Sequence, residues 1–460
     1  MNTLIAIGVL AVLVLVLEII NLRKLVIPAT IIGLVGILGY TVCNITVVEA
    51  HHNNMFVSSR FANAFSSLFI ALSIFLVGLS KDFYEKEFSK ISDYISLKLF
   101  LLMGAICMVS FGNMAMFFLG LEILSITLYI LCGADRKNIK SNESAMKYFL
   151  LGSFASGIIL FGIALIYGAT GSFDLVNIGA ISATTTMPVW YQLGVVLIII
   201  GMLFKIAAVP FHFWAPDVYQ GAPNLTTALM STLVKVTAVA TLFKLSVNLL
   251  DKMPEQYTTV IVVIAILTMS VGNIMAIRQD NMKRLLAYSG ISHAGFMMMA
   301  LTALDTANAT LFYYASAYAI AGIAAFTVLM AVCKNTKDEL ISNFNGLGFR
   351  NPTMAVILSI ALLSMGGIPI FAGFFGKFFL FQQALSHGYL VLVIFGVINS
   401  IISIYYYLRI IIAMFTKQEE QEEQEEKITV PFSYQIIGIV AVTINIIIGL
   451  CPSLLLGFFK

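Results

Sequence analysis

Apolar runs recur along the whole chain, divided by short stretches that hold most of its charge. Each run is about 20 residues long, enough for one helix to cross a hydrocarbon core of ~30 Å. The runs are continuous, without the polar–apolar alternation of barrel strands, so helices are the spanning elements. The pattern predicts an all-α polytopic membrane protein with about 14 spans. They fall at 3–20, 25–43, 60–80, 97–111, 113–132, 145–167, 190–210, 224–247, 257–277, 284–303, 308–333, 353–386, 388–416 and 431–457. "SFGNMAMF" supplies the turn between the fourth and fifth. The first run, "LIAIGVLAVLVLVLEII", has no basic n-region and no small-residue cleavage site, and reads as a retained span.

Two runs are interrupted. The seventh ends in "GMLFKIAAVPFHFWAPD", where Pro210 follows Lys205; the twelfth is too long for one straight helix and contains Gly366, Gly367 and Pro369 in "GGIP". A break at membrane depth frees backbone carbonyls, tolerable only where they line protein or water, and paired breaks mark ion paths at the midplane. If spans 4–8 and 9–13 form two five-helix units, their odd number inverts one relative to the other. Each break then falls on the fourth helix of its unit. The expected organisation is one membrane domain, 1–460. It comprises three N-terminal helices (1–96), a first unit (97–247), a second (257–416), an acidic cytoplasmic loop (417–430) and a C-terminal helix (431–460).

Composition strengthens this picture. Of 460 residues, 60% are hydrophobic and 11% charged, too few charges to clothe a soluble core of this size. The net charge of +3 comes without a basic stripe interleaved with aromatics, which excludes nucleic acid as a partner. The five cysteines are scattered without a CxxC pair and read as small buried hydrophobes, not metal or iron–sulfur ligands. His51 and His52 read as surface residues, Met297 to Met299 as packing.

Basic residues test the span count. Loops after odd-numbered spans carry most of them, Arg23, Lys24, Lys98, Arg136, Lys140, Lys283, Arg284, Lys334 and Arg350 included; the opposite side holds Arg60, Lys244, Lys252 and Lys460. By the positive-inside rule the odd-numbered ends are cytoplasmic and both termini periplasmic. The cytoplasmic loop 417–427, "KQEEQEEQEEK", reads as a solvated helix or tether.

Four of the 26 basic residues fit neither side: Lys147, Lys205, Lys235 and Lys377, all inside spans. A lysine at mid-bilayer costs roughly 2.5–3.5 kcal/mol on insertion scales, so four imply partners or water. Lys147, near a span start, can snorkel. Glu122, mid-span in "FFLGLEILSITLYIL", is the natural partner for a deep lysine. The pair is either a fixed ion pair that orients helices or a titrating switch in which movement of the carboxylate releases a proton. His293, in "LAYSGISHAGF" with Tyr288, Ser289 and Ser292 nearby, is either a hydrogen-bonded core residue or a proton relay.

The stretches "FFLGLEILSITLYIL", "ESAMKYFLLGSFASGI", "FKIAAVPFHFWAPDVYQGAP", "STLVKVTA", "RLLAYSGISHAGF" and "GGIPIFAGFFGKFF" resemble the antiporter-like membrane subunits of bacterial respiratory complex I. "PFHFWAPDVYQGAP", and a chain ending just after the fourteenth span, favour the N-type branch over the L and M types. The resemblance implies a proton-translocating subunit of NADH:quinone oxidoreductase, with Glu122, Lys205, Lys235 and Lys377 as the proton-carrying line. Lys147 is implied as a modulator of the pair and His293 as a member of the same axis. It further implies that flavin, iron–sulfur clusters and quinone belong to other subunits, with no cofactor or metal in this chain. The implied neighbours are M-, K- and L-type membrane subunits, including the L-type lateral helix, within a bacterial inner membrane. A subunit of a multisubunit cation/proton antiporter or membrane-bound hydrogenase of the same fold is the alternative.

Overall fold

The computed structural model describes residues 1–85, 90–249, 255–336, 338–416 and 428–459. The acidic loop 417–427, Lys252 and Lys460 lie outside the described residues. Among the described residues, 13 helices are long and apolar enough to cross a membrane. They begin with α1 (Asn2–Ile19), α2 (Val26–Cys43), α3 (Arg60–Phe83), α4 (Ile91–Ser110), α5 (Met114–Cys132) and α6 (Ile139–Thr170). A short apolar connector, α7 (Leu175–Thr184), precedes α8 (Val189–Ile206), which is followed by the stub α9 (Trp214–Gly221). Then come α10 (Asn224–Leu249), α11 (Glu255–Ile277), α12 (Met282–Met298) and α13 (Asn308–Cys333). The twelfth crossing is the broken pair α14 (Pro352–Gly366) and α15 (Ala372–Ser386); α16 (Leu390–Phe415) and α17 (Phe432–Leu450) complete the set. The chain is a multi-pass membrane protein of the expected all-α class.

Both interruptions are present, each with a left-handed residue. Ala207 ends α8 at φ 59°, and Gly367 ends α14 at φ 86°. The seventh span therefore stops at Ile206, not 210, and resumes as α9. Pro210 lies in the connection, as Pro369 does in the second break. The backbone groups freed at the breaks find partners. Trp214 Nε1 donates to the Phe204 carbonyl (3.0 Å), Val209 N donates to Thr268 Oγ1 (3.0 Å), and the Gly366 carbonyl accepts from Lys377 Nζ (3.0 Å).

Helices α10, α12 and α13 are wholly or almost wholly buried, whereas α1, α2 and α16 keep most of their apolar surface outward. The difference follows from composition. The α13 stretch "YASAYAIAGIAAF" is rich in small residues, which let neighbouring helices approach closely without lipid between them. Leu, Ile and Val crowd the outward faces of α1 and α16.

The loops sort into two ends. A cavity of about 410 Å³ is lined by Tyr84 and Tyr94, Asp135 and Asn138, Ala222 to Asn224, Lys283 and Glu339, all near connections after odd-numbered spans. At the other end the hairpin Glu49–His51 with Phe56–Ser58 meets the α4–α5 turn, and Asn54 donates to Asp174 (2.9 Å).

Three expectations need correction. Lys98 is not a loop residue: α4 starts at Ile91, and Lys98 is buried with Nζ on Ser80 Oγ (2.6 Å). Ser92, Asp93 and Ser96, ahead of the expected span start at 97, form the first turns of the helix. Lys244 likewise lies within its helix, half-buried, donating to the Val109 carbonyl (2.7 Å). Only Cys107 and Cys132 are buried; Cys43 and Cys451 stand at exposed helix ends and Cys333 is half-buried, all five as free thiols.

Candidate functional site

Helix packing brings three of the four membrane lysines and His293 into the interior and leaves Lys147 outside. Lys205, Lys235, Lys377 and His293 are all buried. Lys147 is 44% exposed, paired with Glu143 (2.6 Å) and Asp217 (3.5 Å) at the end where the odd-numbered loops gather. That is the snorkelling arrangement, reached because Lys147 lies only two turns into α6.

Lys205 occupies the last turn of α8, two residues before the left-handed Ala207. Its ammonium donates to Ser125 Oγ on α5 (2.7 Å) and lies 5.8 Å from the ring of Tyr129. Glu122 stands one helical turn from Ser125 on the same face of α5. Among the described residues no carboxylate comes within 4.0 Å of Lys205, and Glu122 Oε1 is buried without a hydrogen-bond partner. Instead of the direct ion pair drawn from the sequence, Lys205 bonds Ser125, whose own hydroxyl donates to the Leu121 carbonyl (2.6 Å), and the carboxylate stands one turn away.

Lys235 lies where α10 recovers from a π-helical turn, Met230–Val234. Such turns widen a helix and often mark functional positions. Among the described residues Lys235 Nζ is buried without a hydrogen-bond partner, and it lies over the ring of Tyr219 at 5.8 Å. Within the π turn, Ser231 Oγ meets Tyr318 of α13 (3.2 Å).

His293 is held at both ring nitrogens. Nδ1 meets Tyr314 OH (2.7 Å) and Nε2 meets Tyr407 OH (3.2 Å), which in turn contacts Ser289 Oγ. Of the three neighbours named from the sequence, only Ser289 joins this network. Lys377 bonds the Gly366 carbonyl (3.0 Å) and Ser400 Oγ (2.9 Å), with the Phe296 ring 4.8 Å away. The Gly366–Gly367 break is thus part of the Lys377 site, whereas Pro210 supplies no contact to Lys205.

Hydroxyls are the components that sequence reasoning missed: Ser125, Tyr314, Tyr318, Tyr407 and Ser400. The available signal was the tyrosines themselves, Tyr314 and Tyr318 at i and i+4 in α13 and Tyr406–Tyr407 in α16, since buried phenols need partners. Lys205, His293 and Lys377 each meet at least one hydroxyl, whereas Lys235 meets none within hydrogen-bonding distance. Hydroxyls donate and accept, so they can pass a proton where a carbon cannot.

Buried basic groups strung between hydroxyls, in a bundle with two broken helices, define a class: ion-translocating membrane subunits. Residues 111–403 match the family model described as NADH:quinone oxidoreductase/Mrp antiporter, TM. The chain is 57% identical, over all of both chains, to the NADH-quinone oxidoreductase subunit N of Flavobacterium johnsoniae. It is 43% identical to that of Cytophaga hutchinsonii, over 99% of each. A chain in the structure of respiratory complex I from Thermus thermophilus superposes with a TM-score of 0.85 and 30% identity, covering 99% of this chain and 98% of its own. The chain belongs to the subunit N family of NADH-quinone oxidoreductases.

Proposed function

We propose that the chain translocates protons along a line running from Glu122 and Lys205 through Lys235 and His293 to Lys377. The carrying observation is that Lys205, Lys235 and Lys377 are buried without a carboxylate within 4.0 Å among the described residues. A structural lysine at this depth needs a tight counter-ion; a proton carrier needs its charge only part of the time. Spans 4–8 (97–247) and 9–13 (257–416) act as two inverted units, each with one break. The helices of 1–96, the loop 417–430 and the C-terminal segment 431–460 flank them.

The chain works as the membrane subunit of a proton-translocating NADH:quinone oxidoreductase, and full-length identity to subunit N relatives sets the antiporter and hydrogenase alternatives aside. The flavin, iron–sulfur clusters and quinone belong to partner subunits: the scattered cysteines of this chain offer no cluster ligation. The partners are M-, K- and L-type neighbours with the L-type lateral helix, which with lipid cover the outward apolar faces of helices such as α1 and α16. The location is a bacterial inner membrane, both termini on the periplasmic side, because the connections after odd-numbered spans carry the basic excess.

Glu122→Gln is the discriminating variant, since it removes charge and keeps shape. Expected is an assembled complex on native gels with reduced NADH-driven proton pumping. A titrating role is excluded if the assembled variant pumps at the wild-type level, and loss of the complex from membranes points to a fixed ion pair.

A further inference from the structure

Lys235 is the deep lysine without a hydrogen-bond partner, and one residue on the opposing helix decides what stands beside it. Gly290 of α12 faces both the ammonium and a phenol of α13. A Cβ built on Gly290 would lie 3.1 Å from Lys235 Nζ and 2.9 Å from Tyr318 OH, with the next atom, Lys235 Cε, at 3.8 Å. The place where any other residue would put a side chain is thus the meeting point of these two polar atoms. The two atoms are therefore no more than about 6 Å apart, a span one water can bridge at its shorter end. Tyr318 is already oriented, its hydroxyl meeting Ser231 in the π turn and its ring 4.8 Å from that of His293.

We propose that Gly290 is a positioning residue for proton transfer: the absence of its side chain leaves the space in which one water can bridge the Lys235 ammonium to the Tyr318 hydroxyl. This rests on Lys235 being a proton carrier. The geometry separates function from folding. The two atoms an alanine methyl would crowd are the far ends of a lysine and a tyrosine side chain, both able to shift without moving backbone. Gly290→Ala therefore keeps the bundle and drives the pair apart. Gly290→Ser crowds the same space but returns a hydroxyl beside Nζ. Tyr318→Phe removes the partner oxygen and adds nothing.

The experiment measures acidification of inverted membrane vesicles on NADH addition, in the full complex, normalised to the assembled amount. Lys235→Met is run alongside. Expected are losses of about tenfold for Gly290→Ala and for Tyr318→Phe, the scale of one hydrogen bond to a charged group, with Gly290→Ser recovering most of the activity. The double variant Gly290→Ala/Tyr318→Phe is expected to be no worse than either single one, because both cut the same link. Wild-type pumping by Gly290→Ala while Lys235→Met fails overturns the positioning role alone. Equal losses in the alanine and serine variants together with wild-type pumping by Tyr318→Phe overturn it too, since bulk and not the link between the two polar atoms would then matter. Normal pumping by Lys235→Met overturns the reading beneath it. Should Gly290→Ala fail to assemble, Tyr318→Phe decides: wild-type pumping there refutes the partnership.

Discussion

Lys205 can be replaced so as to keep its charge, or to lose it, and the two outcomes separate proton exchange from structural support. Its ammonium has one hydrogen bond, to Ser125, and one aromatic face, Tyr129, at 5.8 Å. A hydrogen bond to a charged group contributes about 1.5–3 kcal/mol, and a ring at the ~6 Å limit of cation–π attraction about 0.5 kcal/mol. Desolvating the ammonium costs several kcal/mol, so these contacts at best offset burial. Lys205→Met, similar in volume and apolar, should therefore assemble as well as wild type. Lys205→Arg keeps the charge but brings five donors to a site with one described hydroxyl, and should assemble somewhat less well. Neither should pump. Methionine has no proton to exchange. Removing one from a guanidinium near neutral pH costs about 7 kcal/mol, a slowing of about 10⁵-fold. The assay is NADH-driven acidification of inverted vesicles, scaled to complex resolved on native gels. Wild-type pumping by the arginine variant would refute proton carriage by Lys205; loss of the complex with Met would refute the energetic comparison.

Two further substitutions probe the periphery and the second break. Lys147→Ala should leave both assembly and acidification within about twofold of wild type, since exposed ion pairs contribute little; a marked loss of acidification in the assembled complex would support Lys147 as a modulator of the Glu122–Lys205 pair. Gly367→Ala puts a methyl 3.2 Å from Lys377 Cδ and 3.3 Å from Nζ at a φ of 86°. It should lower the yield and thermal midpoint of the complex by the equivalent of about 1–2 kcal/mol, and an unchanged midpoint would show that the left-handed joint is not required.

The crossings were legible because a bilayer demands long unbroken apolar runs, and the breaks because Gly and Pro at such depth have few other uses. The start of α4 was not: the apolar run begins at 97, while the helix extends back over the polar Ser92, Asp93 and Ser96 to Ile91. The burial of Lys205, Lys235 and Lys377 followed from span position alone. Their partners did not. Lys205 meets Ser125, one turn from the carboxylate that charge complementarity nominated, and which turn a long side chain reaches depends on helix rotation. The tyrosines escaped notice because an aromatic on an apolar helix reads as packing until the opposite helix is known. The π turn before Lys235 leaves no mark in residue type.

The His293 cluster has a consequence for direction. Tyr314, His293, Tyr407 and Ser289 form a row in which each phenol can either give or receive, while a neutral imidazole carries its hydrogen on one nitrogen only. The row therefore has two polarities with the same heavy-atom positions, one with every hydrogen pointing toward Tyr314 and one with every hydrogen pointing away. A proton relayed along the row would leave it in the opposite polarity, and a second could not follow the same way until hydroxyls rotate and the imidazole changes tautomer. A relay built on this cluster would therefore have to be re-armed on each cycle, by hydrogen reorientation and without displacement of any helix.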